Sequence, residues 1–146
     1  LLDSFLRLSV SIIESPDFNE NTVGIWNDFF RAPGNGDLRA EIRKRLETFL
    51  LLAFRSAIDA ETLDRYTDYT FSKTQQGLSF TDAMKKAASA VLSSPRFLLR
   101  YGSTVGGKDL FVVASNLSFF LWNSGPDIEL LKLAESGELA ALGAFR

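Results

Sequence analysis

Apolar residues that recur at helical spacing constrain what this chain can fold into more than any other property of its sequence. Ile42, Leu46, Phe49, Leu50, Ala53 and Phe54 fall at i, i+4, i+7, i+8, i+11 and i+12, which is one face of a long helix beginning near Leu38. Its other face carries Arg39, Glu41, Arg43, Lys44 and Glu47. Asp59 is placed to cap a second helix with Glu61 in its first turn and Leu63, Tyr66 and Thr70 or Phe71 turned inward. Ser79 followed by Asp82 has capping-box spacing, and Phe80, Met84, Ala87, Ala88, Val91 and Leu92 supply a third stripe.

The punctuation between stripes is equally helical. Ser94 before Pro95 ends one helix and opens another, because proline at the first helical position loses no needed hydrogen bond. Gly102, Gly106 and Gly107 mark a loop and a boundary. Beyond it Leu110, Val113, Ala114, Leu117, Phe120 and Leu121 predict a helix that turns apolar on every side at residues 119–122, so that end is expected to be covered by this domain or by a partner. Asn123 to Gly125 stop it, and Pro126 with Asp127 and Glu129 starts a helix whose apolar face is Leu130, Leu131, Leu133 and Ala134. Residues 137–146 read as a further helix, cut short. Near the start, residues 2–14 favour an amphipathic helix, although 7–12 also alternate like a strand. Asn21 or Thr22 is expected to cap a short helix through Ile25, Trp26, Phe29 and Phe30. The resulting expectation is an all-α compact bundle of six to eight short and medium helices. It divides into residues 1–36 (an unassigned helical segment), 37–102 (a helical domain) and 108–146 (the start of a following helical domain packed on it).

Composition removes chemistries. With 146 residues and no histidine or cysteine, the chain cannot form a thiolate zinc site, an attached c-type haem, a disulfide or a Cys/His nucleophile pair. A metal would need oxygen ligands alone, and acid/base work would fall to carboxylates, lysine or tyrosine. The 46% hydrophobic content supports a genuine core, and a net charge of -2 offers no basic field for nucleic acid or an anionic membrane. No run approaches the roughly 18 apolar residues of a membrane span. Leu1 opens the chain and Met84 is its one methionine, so an excised or processed piece of a longer protein is expected.

Few constellations carry chemistry. Glu61, Asp64 and Asp68 share one side of the Asp59 helix, but a straight helix does not wrap a cation, and a solvated face explains them. No metal site is expected. Arg39, Arg43, Lys44 and Arg45 form a basic cluster that a DNA-binding reading would need to see extended; the i, i+4 pair Glu41 and Arg45 accounts for it as intrahelical pairing. Arg96 and Arg100 put two guanidiniums on one side of an apolar turn, able to grip an anion, to pair with an acid such as Asp127, or to cap carbonyls of neighbouring helix ends. Ser94 has no base nearby in sequence, and Trp26, Trp122 and Phe97 read as core anchors. No catalytic residue is assigned. Arg96, Arg100, Asp127 and Glu129 are the candidate binding residues, and Phe119, Phe120 and Trp122 the candidate interaction surface.

Residues 46–101 resemble a small helical domain of large, mostly planctomycete, envelope or secreted proteins that also carry c-type cytochrome domains. The matching residues are Ala53-Phe54-Arg55, the acidic start from Asp59 to Glu61, Phe80, and the run Ala90-Val91-Leu92-Ser93-Ser94-Pro95-Arg96-Phe97-Leu98-Leu99-Arg100. Residues 114–139 resemble the opening of the domain that follows it in those proteins, through Leu117-Ser118-Phe119-Phe120-Leu121-Trp122, Ser124, Pro126-Asp127, Glu129-Leu130-Leu131 and Gly137-Glu138-Leu139. Ser56 and Ala57 stand where an arginine and a proline are usual in the family, and the haem-binding Cys-x-x-Cys-His is absent. The family's function is unknown. The resemblance implies a periplasmic, envelope or secreted location and any haem in another domain, with none in this piece. Neighbouring domains of the same polypeptide, or a second copy, are the implied partners. The leading expectation is a non-catalytic structural or interaction module; the alternative is part of a polysaccharide-degrading or oxidative enzyme completed by another domain.

Overall fold

A computed structural model describes residues 2–98 and 109–142, apart from a few side chains; Arg100 and the glycines between 102 and 107 lie outside the described residues. Among the described residues there are eight α-helices, one π-helical turn and no strand. The helices are α1 (Leu2–Ile13), α2 (Leu38–Phe54), α3 (Ala60–Gln75), α4 (Phe80–Leu92), α5 (Pro95–Leu98), α6 (Leu110–Trp122), α7 (Ile128–Ser136) and α8 (Glu138–Leu142). The fold is the expected all-α bundle.

Aspartate and serine caps set most of the starts. Asp37 accepts from the amides of Arg39 and Ala40, Asp59 from Thr62, Asp109 from Phe111 and Asp127 from Leu130. Ser79 Oγ accepts from the Asp82 amide at 3.1 Å and donates to the Asp82 carboxylate at 2.6 Å. The cap of α7 is thus Asp127 itself; Pro126 precedes it and is buried rather than opening the helix. Helices α6 and α7 stop at residues in the left-handed region, Asn123 (φ 52) and Gly137 (φ 83), where a side chain other than Asn is strained.

The main core joins α2, α3 and α4 to the N-terminal segment. Ile42, Leu46, Leu50 and Phe54 from α2 meet Leu63 from α3, Phe80, Met84, Ala87, Ala88 and Val91 from α4, and Ile13, Phe29 and Phe30 from upstream. Alanines on α4 let its neighbours approach closely, and α1 lies along it, with Ser9 donating to the Leu6 and Ser89 carbonyls. Phe97 of α5 packs on the same cluster, as does Trp26 in part.

One short element departs from expectation. Residues 26–30 form a π-helical turn whose cap position is Ile25, with no side-chain capping bond. Thr22 instead bonds within the preceding loop, to the carbonyls of Asp17 and Asn19, and Asn21 gives its amide to Asn19 Oδ1. Both expected caps are therefore spent on a tight polar turn.

A second, smaller cluster gathers Ala114, Ala134 and Leu139 with Leu110, Phe111, Leu130 and Leu133, binding α6, α7 and α8 together, and α7 also contacts α2. Here the apolar stripe expected on α6 is inverted. Ala114, Ser115 and Ser118 are the buried residues, while Val113, Leu117, Phe120 and Leu121 face outward. Small side chains let α6 lie close on α7, and the bulky ones are left over.

Candidate functional site: an exposed apolar helix face

The outward side of α6 is the largest unexplained feature of the molecule. Phe120 is 85% exposed, Trp122 65% and Phe119 41%, with Val112, Val113, Leu117 and Leu121 also exposed beside them. No residue between 110 and 122 carries a charge. Isolated surface apolar residues are ordinary, but a contiguous patch on one helix marks an interaction site or a liability. Trp122 is thus a surface residue and does not anchor the core. Ser118 Oγ donates to the Ser124 carbonyl at 2.9 Å and the Asn123 amide to Phe119 O at 3.0 Å, so the end of the helix bearing the aromatics is held by its own stop signal.

The other candidate residues fall elsewhere. Arg96 reaches back to the α2–α3 corner. Its guanidinium donates to Ser56 Oγ at 3.1 Å, the Ala57 carbonyl at 3.3 Å and Thr62 Oγ1 at 3.4 Å, lies 3.6 Å from Asp59 and covers the Phe54 ring at 4.8 Å. Asp127 accepts from Leu130 at the start of α7, and Glu129 is exposed on that first turn. The acid paired with Arg96 is therefore Asp59, and the carbonyl it caps is that of Ala57. Ser94 Oγ is buried with no hydrogen-bond partner among the described residues.

The charged clusters are largely tied to one another. Arg39 bonds Asp68 and Arg43 bonds Asp64 at 2.9 Å, a two-rung ladder between α2 and α3 that takes up two of the three carboxylates. Its signal in the sequence is the matching i, i+4 spacing of both partner sets. Arg45 pairs with Glu41 at 2.7 Å as its spacing implied, and it also donates to the carbonyls of Phe29 at 3.1 Å and Arg31 at 2.6 Å while lying over Phe80. An open cleft of about 510 Å³ lies beside it, floored by Phe29, Phe49, Leu52 and Ile128 with Asp28 and Lys44 on its rim. Arg96, Asp127 and Glu129 do not line this cleft. Among the described residues no cluster of acidic side chains is arranged to hold a metal ion, and no helix is long and apolar enough to cross a membrane.

Asp59 is the carboxylate with a distinct electrostatic setting. The Thr62 amide at 2.7 Å and the Thr62 hydroxyl at 2.9 Å hold its carboxyl below the usual range, and Arg96 adds to the effect. A group whose folded pKa is depressed contributes stability above its unfolded pKa, near 3.8, and loses it as pH falls through the lower folded value. Asp59→Asn keeps an acceptor for the Thr62 amide but no charge. The urea-midpoint difference between wild type and this variant is therefore expected to be largest above about pH 4 and to shrink below it. A difference that stays constant down to pH 2 would contradict this reading.

Neither a curated protein nor a solved structure matches the chain. Residues 41–101 match a family described as PSD5, protein of unknown function (DUF1595), and residues 109–144 match one described as PSD4, protein of unknown function (DUF1592). The helical domain around α2 to α5 and the α6 to α8 unit after it are thus each similar to a domain family of unknown function.

Proposed function

We propose that this chain is a non-catalytic structural and interaction module that docks onto another protein surface through the outward face of α6. The carrying observation is the exposure of Phe120 and Trp122 within an uncharged helix. A second support is the disposition of the polar groups: Arg45, Arg96 and Asp59 are engaged in holding helix ends and carbonyls. The parent is a larger extracytoplasmic protein of the planctomycete-type, cytochrome-associated class, located in the periplasm, envelope or outside the cell, as the motifs at residues 90–100 and 117–131 imply. Haem in that protein belongs to another domain, since this chain has no cysteine or histidine to attach or ligate it in the c-type manner.

Phe120→Gln with Trp122→Gln is expected to leave the urea unfolding free energy within about 0.5 kcal/mol of wild type, because exposed side chains contribute little to folding. The same pair of changes is expected to remove most of the binding of a fluorescent apolar dye and of the neighbouring domains of the parent polypeptide. Strong destabilisation with unchanged binding would mean that these side chains serve the chain's own core, and the reading fails.

A further inference from the structure

The face of α6 is built to meet itself. The helix runs from residue 110 to 122, and its midpoint is Asn116, which is exposed. At 100° per residue Asn116, Val113 and Phe120 lie together on the outward side, opposite the buried Ala114 and Ser118. The exposed side chains grow from one end to the other: Val112 and Val113 before the midpoint, Phe119 and Phe120 after it.

We infer that a second copy of this chain covers the face, with two α6 helices crossing antiparallel about a two-fold axis through Asn116. This deepens the interaction-module reading and rests on it. The axis sets Val112 of one copy opposite Phe120 of the other and Val113 opposite Phe119, so large side chains lie over small ones along the whole contact. Asn116 meets Asn116. Its amide is both donor and acceptor, so two copies related by the axis bond reciprocally and the one polar residue in the middle of the face is satisfied. The lack of charge from 110 to 122 means that self-pairing brings no like charges together on the helix.

The size is sufficient. With about 150–250 Å² for a whole aromatic side chain, Phe119, Phe120 and Trp122 at their exposures of 41%, 85% and 65% offer roughly 300–500 Å². The aliphatic neighbours bring the face to the order of 600 Å² per copy, so pairing removes roughly 1,200 Å² in total, the lower end of specific stable interfaces. A reversible dimer in the micromolar range is expected from that area.

The test is sedentation of charge at the axis, read by analytical ultracentrifugation of the 146-residue chain from about 1 to 200 μM, a span chosen to bracket a micromolar dimer. Asn116→Lys and Asn116→Asp are surface changes, with helical circular dichroism as the folding control. Each alone is expected to weaken dimerisation at least about tenfold by placing like charges across the axis, and an equimolar mixture of the two is expected to restore it as a heterodimer. A wild-type dimer indifferent to both changes would overturn the inference, because the contact would lie on another face. A wild-type monomer that binds the apolar dye would overturn the dimer and leave the interaction reading standing. A monomer that binds no dye would end both.

Discussion

Replacing Phe30 by alanine is expected to lower the unfolding free energy by about 3–5 kcal/mol, a large part of the roughly 5–15 kcal/mol that a domain of this size possesses. Phe30 is 1% exposed and meets Phe18 and Phe29 edge-on at 5.2 and 4.7 Å, with Trp26 at 5.4 Å. Its carbonyl accepts from Thr81 Oγ1 at 2.8 Å, so the π-helical turn is fastened to α4 by backbone as well as by packing. Truncation removes the ring from the centre of that aromatic group, and neighbours held by their own edge contacts cannot close the void completely. Urea unfolding followed by circular dichroism measures the effect. A loss under about 1 kcal/mol would mean that the segment before α2 lies on the core without belonging to it.

Arg45→Met is expected to cost about 2–4 kcal/mol, whereas Arg39→Ala on the same helix is expected to cost at most about 1 kcal/mol. The two arginines sit one and a half turns apart and differ in what surrounds them. Arg45 is 12% exposed, and its five-donor fork serves Glu41 and the carbonyls of Phe29 and Arg31 together. Methionine fills much of the space but leaves those acceptors without a donor, and an unpaired acceptor in a shielded place bears its full desolvation penalty. Arg39 and Asp68 are about half exposed, where water replaces the lost partner. Arg45→Lys is expected to fall between, since an ammonium cannot span three acceptors in a plane. Equal effects for Arg45→Met and Arg39→Ala would show that the Arg45 fork contributes nothing beyond a surface pair.

These expectations show which parts of the fold were legible in the sequence. Helix starts were, because Asp59, Ser79 with Asp82, and Asp127 satisfy amides within their own first turns, a local interaction that spacing reveals. The α2 stripe was, because one apolar face opposes a charged one. The packing of α6 was not. A helix apolar all round has no polar side to give its orientation, and the face that packs is chosen by closeness of approach, which favours Ala114, Ser115 and Ser118 over Val113 and Leu117. Their i, i+1, i+4 spacing was the available signal. The π-helical turn was illegible for a related reason: Thr22 and Asn21 can bond a loop as well as a helix, and only the tertiary arrangement decides.

The candidate site was legible in part. The sequence singled out Phe119, Phe120 and Trp122, and the structure places all three at the surface. It could not reveal that Arg96 turns toward Asp59 and Ala57, because that contact spans 37 to 39 residues of chain and depends on how α5 folds back onto the α2–α3 corner. Nor could it reveal the double duty of Arg45, whose intrahelical pair with Glu41 concealed the two carbonyl bonds beyond it.

The central claim is that α6 presents an apolar face to another protein surface. It is tested most directly by the solvent accessibility of Trp122 in a Trp26→Phe variant, where it is the only tryptophan. Acrylamide quenching of its emission at sub-micromolar concentration is the measurement. The account predicts red-shifted emission and quenching close to that of free indole, and a blue shift with protection when the neighbouring domains of the parent polypeptide or a large excess of the chain is added. Blue-shifted, protected emission from the dilute chain alone would contradict it.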